Sequence, residues 1–172
     1  MTVTDLVERA KHFHHIVITG GEPILQLDDV KELIRKIQHI NPDTVFEIET
    51  NGTLIPVGLK NIINILFNVS IKLTNNGNNT YEQRIKPEVI RWHVNRQSRF
   101  KFVVNTTNDI DEVNLLVNKF GIKKENIWLM PLGATREEQL DRMLKVIIWA
   151  KAMGVNFSPR IHTLIWNNKR GV

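Results

Sequence analysis

The sequence has 172 residues, 42% hydrophobic and 24% charged, which is enough for one compact domain with its own core. No segment approaches the run of about 18 apolar residues that a membrane span needs, and the polar start lacks the apolar stretch of a signal peptide, so we expect a cytoplasmic protein without membrane contact. The net charge of +5 is spread over predicted helices and loops, which implies no direct nucleic-acid partner. The chain has no cysteine, which excludes disulfides, thiolate metal ligands and cysteine nucleophiles.

Short β-rich runs alternate with helical patterns along the chain, without repeats or linkers, which predicts a single α/β domain over residues 1–172. An amphipathic helix opens at Leu27 and stops at Asn41-Pro42, and a later helix is capped by Asp109 or Asp111 and ends at Gly121. Further helices are predicted over 4–12, 57–64, 87–94 and 135–153. The predicted strands are 15–20, 44–50, 67–73, 99–104, 126–131 and 156–165.

Repeated β-then-α order predicts parallel strands, either in a doubly wound sheet or in a barrel. Four strands carry one polar face, made of Glu47 and Glu49; Asn68, Ser70 and Lys72; Arg99 and Lys101; and Ser158, Arg160 and His162. Helices on both sides of a sheet would bury these charges at high cost, and a closed eight-stranded barrel fills its interior with apolar side chains. We therefore expect an incomplete (β/α) barrel with a polar, ligand-holding lumen, although any single residue of this set could instead only satisfy an ion-pair neighbour.

Two glycine-rich turns follow successive strands, Thr19-Gly20-Gly21-Glu22-Pro23 and Glu49-Thr50-Asn51-Gly52-Thr53. Glycine lets backbone N–H and C=O groups approach a ligand closely, Glu22 adds a carboxylate, and Pro23 fixes the turn. An amino-acid-like or nucleoside-like ligand suits this mixture. A lone Gly-Gly turn is usually only a tight connection, but the paired occurrence favours a ligand site.

These turns belong to a wider set of segments, namely TGGEP at 19–23, ETNGT at 49–53, SIKLTNNG at 70–77, LMPLG at 129–133 and SPRIHTLIWNNKRGV at 158–172. The set resembles the 7-carboxy-7-deazaguanine synthase family of radical S-adenosylmethionine (SAM) enzymes, from about residue 12 to the end. The resemblance implies the queuosine pathway of tRNA modification. In that pathway the family rearranges 6-carboxy-5,6,7,8-tetrahydropterin to 7-carboxy-7-deazaguanine with loss of ammonia.

The resemblance also implies roles for individual residues. Thr19 and the C-terminal Val172 would contact the pterin. Gly21 would hold the methionine end of SAM through its backbone, Glu22 would also belong to the cofactor site, and Glu49 and Asn51 would help to orient the methionine end. Ser70, Ile71 and Lys72 match a Ser-Pro-Lys segment that lines the cofactor, with Ile71 in place of the proline. The adenosine part would lie on Met130, Pro131, Leu132 and Gly133. No residue is assigned a catalytic or metal-ligating role, and Arg160 and His162 are expected at the site.

The sequence departs from the family at its start. The resemblance implies a first β/α unit with a Leu-Gln-Gly-Glu-Gly stretch, an arginine, a CxxxCxxC loop for a 4Fe-4S cluster and a threonine that ligates Mg²⁺, and none of these is present. His12, His14 and His15 cannot replace three thiolates. We therefore expect the C-terminal part of a synthase, starting within its first helix, inactive alone and exposing the strand edge at 15–20 for a possible homodimer.

Two other interpretations stay open. A glycyl-radical-enzyme activase has similar GGEP and Asp/Glu-Thr-Asn-Gly turns, but the ending from Ser158 to Val172 is against it. A non-catalytic nucleoside-binding protein could have kept the barrel after losing the cluster.

Overall fold

The computed structural model describes residues 1–60, 62–77 and 79–169, and its centre is a sheet of six parallel strands. The strands are β1 (His15–Ile18), β2 (Val45–Thr50), β3 (Ile65–Val69), β4 (Arg99–Val104), β5 (Ile127–Pro131) and β6 (Asn156–Phe157). The helices are α1 (Val3–Ala10), α2 (Leu27–Ile40), α3 (Tyr81–Arg84), α4 (Pro87–Asn95), α5 (Thr107–Phe120), α6 (Arg136–Met153) and α7 (Ile161–Trp166). Three short 3-10 turns cover Pro23–Gln26, Thr74–Asn76 and Lys124–Asn126.

The strands lie side by side in chain order, so each connection steps to the next strand in the same direction. A doubly wound sheet needs a reversal of strand order, which is absent among the six described strands. Right-handed connections that all step the same way place their helices on one side of the sheet. This arrangement leaves the opposite face for polar residues.

The helix side of the sheet is the apolar core. Phe46 and Ile48 on β2, Phe67 on β3, and Phe100 and Phe102 on β4 are at most 2% exposed. On α2 the predicted apolar stripe packs inward through its buried members Val30, Leu33, Ile34 and Ile37, although Ile40 remains 53% exposed. Alternation along β2 and β4, buried on one side and half-buried on the other, matches the predicted division into an apolar and a polar face.

Two predicted elements are wrong. The described residues of 57–64 form turns instead of a helix, since Gly58 has φ +88° and Asn64 has φ +62°, both outside the right-handed helical region. The last predicted strand, 156–165, is β6 followed by α7. Ser158 N–H still donates to Leu129 O at 2.9 Å. The next donor on that side, Arg160 N–H, bonds Gln139 Oε1 at 3.4 Å instead of Pro131 O, which accepts from Gln139 Nε2, so the ladder stops there.

The predicted cap of α5 is also corrected. Thr106 is the N-cap, and its hydroxyl accepts from Asp109 N–H, while Asp109 Oδ2 accepts from Thr106 N–H at 2.8 Å. Asp109 is therefore the third helical residue of a capping box, and Asp111 lies further into the helix. The helix ends at Gly121 in the left-handed conformation (φ +66°), as predicted.

Candidate ligand-binding site

The two glycine-rich turns lie next to each other, because β1 and β2 are paired in parallel and both turns follow the C-terminal ends of their strands. Glu22 joins them. Its carboxylate accepts hydrogen bonds from Asn51 N–H at 2.7 Å, Thr50 Oγ1 at 2.8 Å and Ile24 N–H at 3.1 Å. These three donors occupy the side chain, so Glu22 fixes the relative position of the turns through the protein itself.

The glycines of the first turn leave their backbone open. A Cβ built on Gly20 or Gly21 would have no atom within 4 Å, and Gly20 has φ +111°, a conformation that L side chains rarely adopt. A cavity of about 240 Å³ adjoins this turn, bounded by Gly21, Gln26 and Asp29 and by apolar residues of α1 and α2. A polar ligand can therefore reach the backbone of this turn.

The second turn is tightly packed where it crosses the sheet. Gly52 has φ +72°, and a Cβ there would lie 2.7 Å from Val69 Cγ1, so glycine is required. Asn51 Oδ1 accepts from Thr53 N–H at 2.9 Å and Thr53 Oγ1 at 2.6 Å. The side-chain oxygen of Asn51 thus shapes the loop.

Glu49 is the centre of a charged cluster on the polar face of the sheet. Lys101 Nζ donates to Glu49 Oε1 at 3.0 Å from two strands away, and Thr19 Oγ1 donates to Glu49 Oε2 at 3.1 Å. Burial raises the pKa of Glu49, but the hydrogen bond and charge of Lys101, the hydrogen bond of Thr19 and the proximity of His162 outweigh burial and lower the pKa. Glu49 is therefore a carboxylate at neutral pH beside the first turn.

A second polar cluster lies on the same face nearer the start of the strands. Glu47 accepts a hydrogen bond from Asn68 and lies 3.3 Å from His15 Nε2 and 4.0 Å from Arg99 Nη1. The Arg99 guanidinium stacks over Trp128, 5.7 Å from the ring centroid. Polar side chains of β2, β3 and β4 therefore interact across the sheet, as the sequence pattern predicts.

The segment from Ser70 to Lys72 lies beyond the end of β3. Ser70 N–H donates to Thr50 O at 2.8 Å, the side chain of Ile71 is in the core at 2% exposure, and Lys72 is exposed. Because its side chain points into the core, Ile71 can offer a ligand only its backbone. The expected place of Lys72 on a strand is thus corrected, although the alternation of buried and exposed residues continues through it.

Side chains of α6 hold the backbone of the segment from Met130 to Gly133. Buried Gln139 donates from Nε2 to Pro131 O and Gly133 O, both at 3.0 Å, and Arg142 Nη1 donates to Leu132 O at 2.7 Å. A Cβ on Gly133 would lie 2.9 Å from Glu138 Cβ, so a side chain does not fit there. Pro131 and Gly133 are buried, whereas Met130 and Leu132 are half-buried and reachable.

The last group of predicted residues does not lie on a strand. Half-buried Arg160 precedes α7 and donates from Nη1 to Gly133 O at 2.9 Å, and exposed His162 is on α7 near Glu49. The structure therefore connects both residues to the site, through a helix where a strand was expected. Val172 lies outside the described residues.

Sequence reasoning missed several residues that build the site. The sequence places Lys101 on the polar face of its strand but does not pair it with Glu49, and it does not single out Gln139, Arg142 or Arg84. Arg84 donates to Lys72 O at 2.8 Å and Thr74 Oγ1 at 2.9 Å. The capping pair Thr80 and Gln83 marks α3 in the sequence and could have revealed this helix.

The donor atoms at the site suit an organic ligand. Open amides at Gly20 and Gly21 and the Glu49 carboxylate match the charged groups of an amino acid, and this fits the methionine end of SAM. No group of three His, Cys, Asp or Glu residues within the described ranges is placed to hold a metal ion. Without cysteine, these residues do not fit a 4Fe-4S cluster. None of the described helices is long and apolar enough to cross a membrane.

A scan against models of protein families gave no match. Among curated proteins, the 7-carboxy-7-deazaguanine synthase of Pyrobaculum aerophilum is 30% identical over 159 residues, which cover 91% of this chain and 67% of the relative. The synthase of Halobacterium salinarum is 28% identical, with 98% of this chain and 72% of the relative covered, and that of Hyperthermus butylicus is 28% identical, with 95% and 71% covered.

Among solved structures, the crystal structure of Streptococcus suis SuiB has a similar fold, with a TM-score of 0.60 at 14% identity. The match covers 95% of this chain and 45% of that chain. The two comparisons are consistent with the parallel α/β architecture and with the segments that the sequence analysis compared to one family. The identity and coverage of the first relative are sufficient to conclude that this chain belongs to the 7-carboxy-7-deazaguanine synthase family of radical SAM lyases.

Proposed function

We propose that these residues form the SAM- and pterin-binding part of a 7-carboxy-7-deazaguanine synthase, which converts 6-carboxy-5,6,7,8-tetrahydropterin to 7-carboxy-7-deazaguanine. The observation that carries the proposal is the open turn at Gly20-Gly21, fixed by Glu22 to the neighbouring turn and placed beside the Glu49–Lys101 pair. This combination offers backbone groups and both signs of charge to a zwitterionic ligand end.

The fold supports an incomplete barrel as the frame of this site. Six strands in unbroken order, with an apolar face towards the helices and charged residues on the other face, are what a curled sheet with a polar lumen requires. We infer one domain over residues 1–172, which the single sheet of the described residues supports. The relatives are longer than this chain, which leaves room for a further β/α unit next to β1.

Each part of the site has a separate task in this proposal. The Gly21 backbone binds the methionine end of SAM, and Glu22 positions that backbone and does not contact the ligand itself. Met130 and Leu132 pack on the adenosine part, with Gln139 and Arg142 holding their backbone. SAM supplies a carbon radical when it is bound and reductively cleaved. Thr19 and Val172 contact the pterin, and Lys101 keeps Glu49 ionised next to Thr19.

The cluster that reduces SAM needs three thiolates, and these 172 residues contain none. We expect the chain to bind no iron–sulfur cluster after anaerobic reconstitution, and to have no synthase activity alone. Iron and sulfide analysis together with visible absorbance checks this expectation. Stoichiometric iron with a charge-transfer band would contradict it.

SAM titration by calorimetry tests the binding part of the proposal. Without its metal-assisted anchor, the ligand loses several kcal/mol, and a loss of about 4 kcal/mol moves a micromolar ligand to millimolar, so we expect a Kd near or above about 1 mM. Gly21→Val should abolish the remaining binding by blocking backbone approach. The variant should still fold, because its Cβ has no atom within 4 Å.

Gly21→Ala, which adds a smaller group at the same place, serves as the graded control and should retain weaker binding. Micromolar affinity that survives Gly21→Val would contradict the assignment of this turn. The second candidate, a non-catalytic nucleoside-binding protein, is favoured by the absence of cysteine. It predicts adenosine binding as tight as SAM binding, because the methionine end then contributes nothing.

A further inference from the structure

The chain contains two Asn-Gly pairs, Asn51-Gly52 and Asn76-Gly77, and they lie in different environments. In such a pair the backbone nitrogen of glycine can attack the side-chain carbonyl carbon of asparagine, because glycine has no Cβ in the way and its backbone turns freely. The attack closes a five-membered succinimide ring. In a folded protein the reaction therefore depends on how firmly the two residues are held.

The pair Asn51-Gly52 is held by hydrogen bonds and by packing. The Asn51 side-chain oxygen accepts from Thr53 N–H and Thr53 Oγ1, and Gly52 N–H donates to Thr50 Oγ1 at 3.2 Å. Gly52 is buried, and Val69 fills the space beside its Cα. Turning the Gly52 nitrogen towards the Asn51 side chain would break these contacts, so the fold protects this pair.

The pair Asn76-Gly77 lies at the end of the 3-10 turn Thr74–Asn76. Both residues are exposed, and a Cβ built on Gly77 would have no atom within 4 Å. Gly77 N–H donates to Thr74 O at 3.4 Å, longer than the usual distance of about 2.9 to 3.0 Å, so little is lost when this amide turns away. The neighbouring Asn75 is held, because its Nδ2 donates to Val103 O at 2.9 Å.

We propose that Asn76 is a site of spontaneous deamidation. The Gly77 nitrogen loses its proton to hydroxide and forms a bond to Asn76 Cγ. The C–N bond of the side-chain amide breaks, and ammonia leaves with a proton from water, which regenerates the hydroxide. Water then opens the succinimide at either carbonyl and gives aspartate or isoaspartate, so one water is consumed for each ammonia released. This inference goes beyond the proposed function and does not depend on it.

The modified chain should keep its fold. Deamidation adds a negative charge to the turn between Lys72 and α3, and isoaspartate also adds one carbon to the main chain. The contacts that fix this region are the hydrogen bond from Thr74 N–H to Glu112 Oε2 and the ion pair of Arg84 with Glu112. Neither contact involves Asn76 or its glycine, so the product should accumulate in folded protein.

Peptide mass spectrometry of the chain, aged folded or in concentrated guanidinium chloride, tests the proposal. Trypsin places the two pairs in separate peptides, 37–60 and 73–84, and fragmentation locates each replacement of NH₂ by OH. Unfolding removes the protection, so both pairs should then react at similar rates. In the folded chain Asn76 should react within about threefold of its unfolded rate, and Asn51 at least about tenfold below its own. Equal rates at Asn51 and Asn76 in the folded chain would overturn the proposal.

A substitution of the glycine tests the ring closure. Gly77→Ala adds a Cβ beside the attacking nitrogen and should slow the reaction of Asn76 at least about tenfold. Gly121→Ala is the matched control, because Gly121 also has a positive φ and open space around it, and it should leave the rate at Asn76 unchanged. Isoaspartate, detected with an isoaspartyl methyltransferase, should be present in the product. Aspartate alone, or a rate that Gly77→Ala does not lower, would overturn the proposal.

Discussion

At the residue scale, Glu22 holds the two glycine-rich turns together, because its carboxylate accepts hydrogen bonds both from Ile24 in its own turn and from the neighbouring turn. The donors that occupy this carboxylate, Thr50 and Asn51, are 28 and 29 residues away in the chain. No local pattern indicates such a distant pairing, so the sequence predicts the residue but assigns it to the ligand instead of to the neighbouring turn.

Replacing Glu22 should therefore destabilise the protein. Glu22→Gln turns one acceptor into a donor that faces the backbone N–H of Asn51 or, with the amide turned over, that of Ile24, and an unsatisfied partly buried donor costs about 1 to 3 kcal/mol. Urea unfolding measures the loss. Glu125→Gln, an exposed residue, should change the free energy of unfolding by less than about 0.5 kcal/mol. Equal free energies of unfolding for the two variants would show that the hydrogen bonds of Glu22 do not stabilise the protein.

His93 predicts a dependence of stability on pH. It is fully buried, its Nδ1 lies 3.0 Å from Ser98 Oγ, and burial lowers its pKa from 6.5 to about 4. Between these two values the unfolded chain binds a proton that the folded chain refuses, so stability falls as the pH is lowered from 6.5 to 4. The full span is worth about 3 kcal/mol at about 1.4 kcal/mol per pKa unit.

Urea unfolding at pH 7, 5.5 and 4 measures this dependence. His93→Gln removes the titrating group, and the variant should lose less stability than the original chain over the same range. His39→Gln removes an exposed histidine and should keep the original slope. If the free energy of unfolding fell equally with pH in all three proteins, His93 would bind its proton as readily in the folded chain as in the unfolded chain.

At the scale of single elements, hydrophobic periodicity predicts helices and strands that depend on their own residues. It does not predict where contacts with distant residues change the structure. The α2 stripe and the polar alternation of β2 and β4 are confirmed because each depends on residues within one element. The alternation from Ser158 to His162 is as regular, but the distant side chain of Gln139 takes the backbone groups of Arg160 and Pro131 that would continue the ladder, and α7 forms instead. The helix α3 is not predicted, because four residues are too few to show a helical period of hydrophobic residues.

Helix α3 nevertheless fixes the segment that follows β3. The Arg84 side chain is 5% exposed, bonds Lys72 O, and forms a 2.8 Å ion pair with Glu112, whose Oε2 accepts from Thr74 N–H. Arg84→Met should lower the free energy of unfolding by about 2 to 4 kcal/mol, because it leaves Glu112 largely buried without its partner.

Hydrogen exchange distinguishes a local from a global effect of Arg84→Met. We expect the amide of Thr74 to lose protection before the β4 amides do, since only the former depends on Glu112. Arg91→Met, an exposed residue of α4, should cost less than about 1 kcal/mol. Unchanged protection at Thr74 would indicate that Arg84 does not order this segment.

At the scale of the whole molecule, β1 is an edge strand of the sheet. It pairs with β2 and with no other described strand. Such an edge presents unpaired backbone groups, and here it carries Val17 at 52% exposure, with Phe13 at 60% just before the strand. In the described chain this edge is open to pairing with another strand.

Lysine on an edge strand opposes such pairing, because a second strand would have to desolvate its charge. Val17→Lys should therefore slow the growth of light scattering at high protein concentration several-fold. The new charge lies beside Glu47, which is paired in register with Val17, so the free energy of unfolding should change by less than about 1 kcal/mol. Val57→Lys makes the same change on a loop, at 64% exposure, and should leave the scattering unchanged. If both variants aggregate at the original rate, the edge of β1 is not where copies of this chain associate.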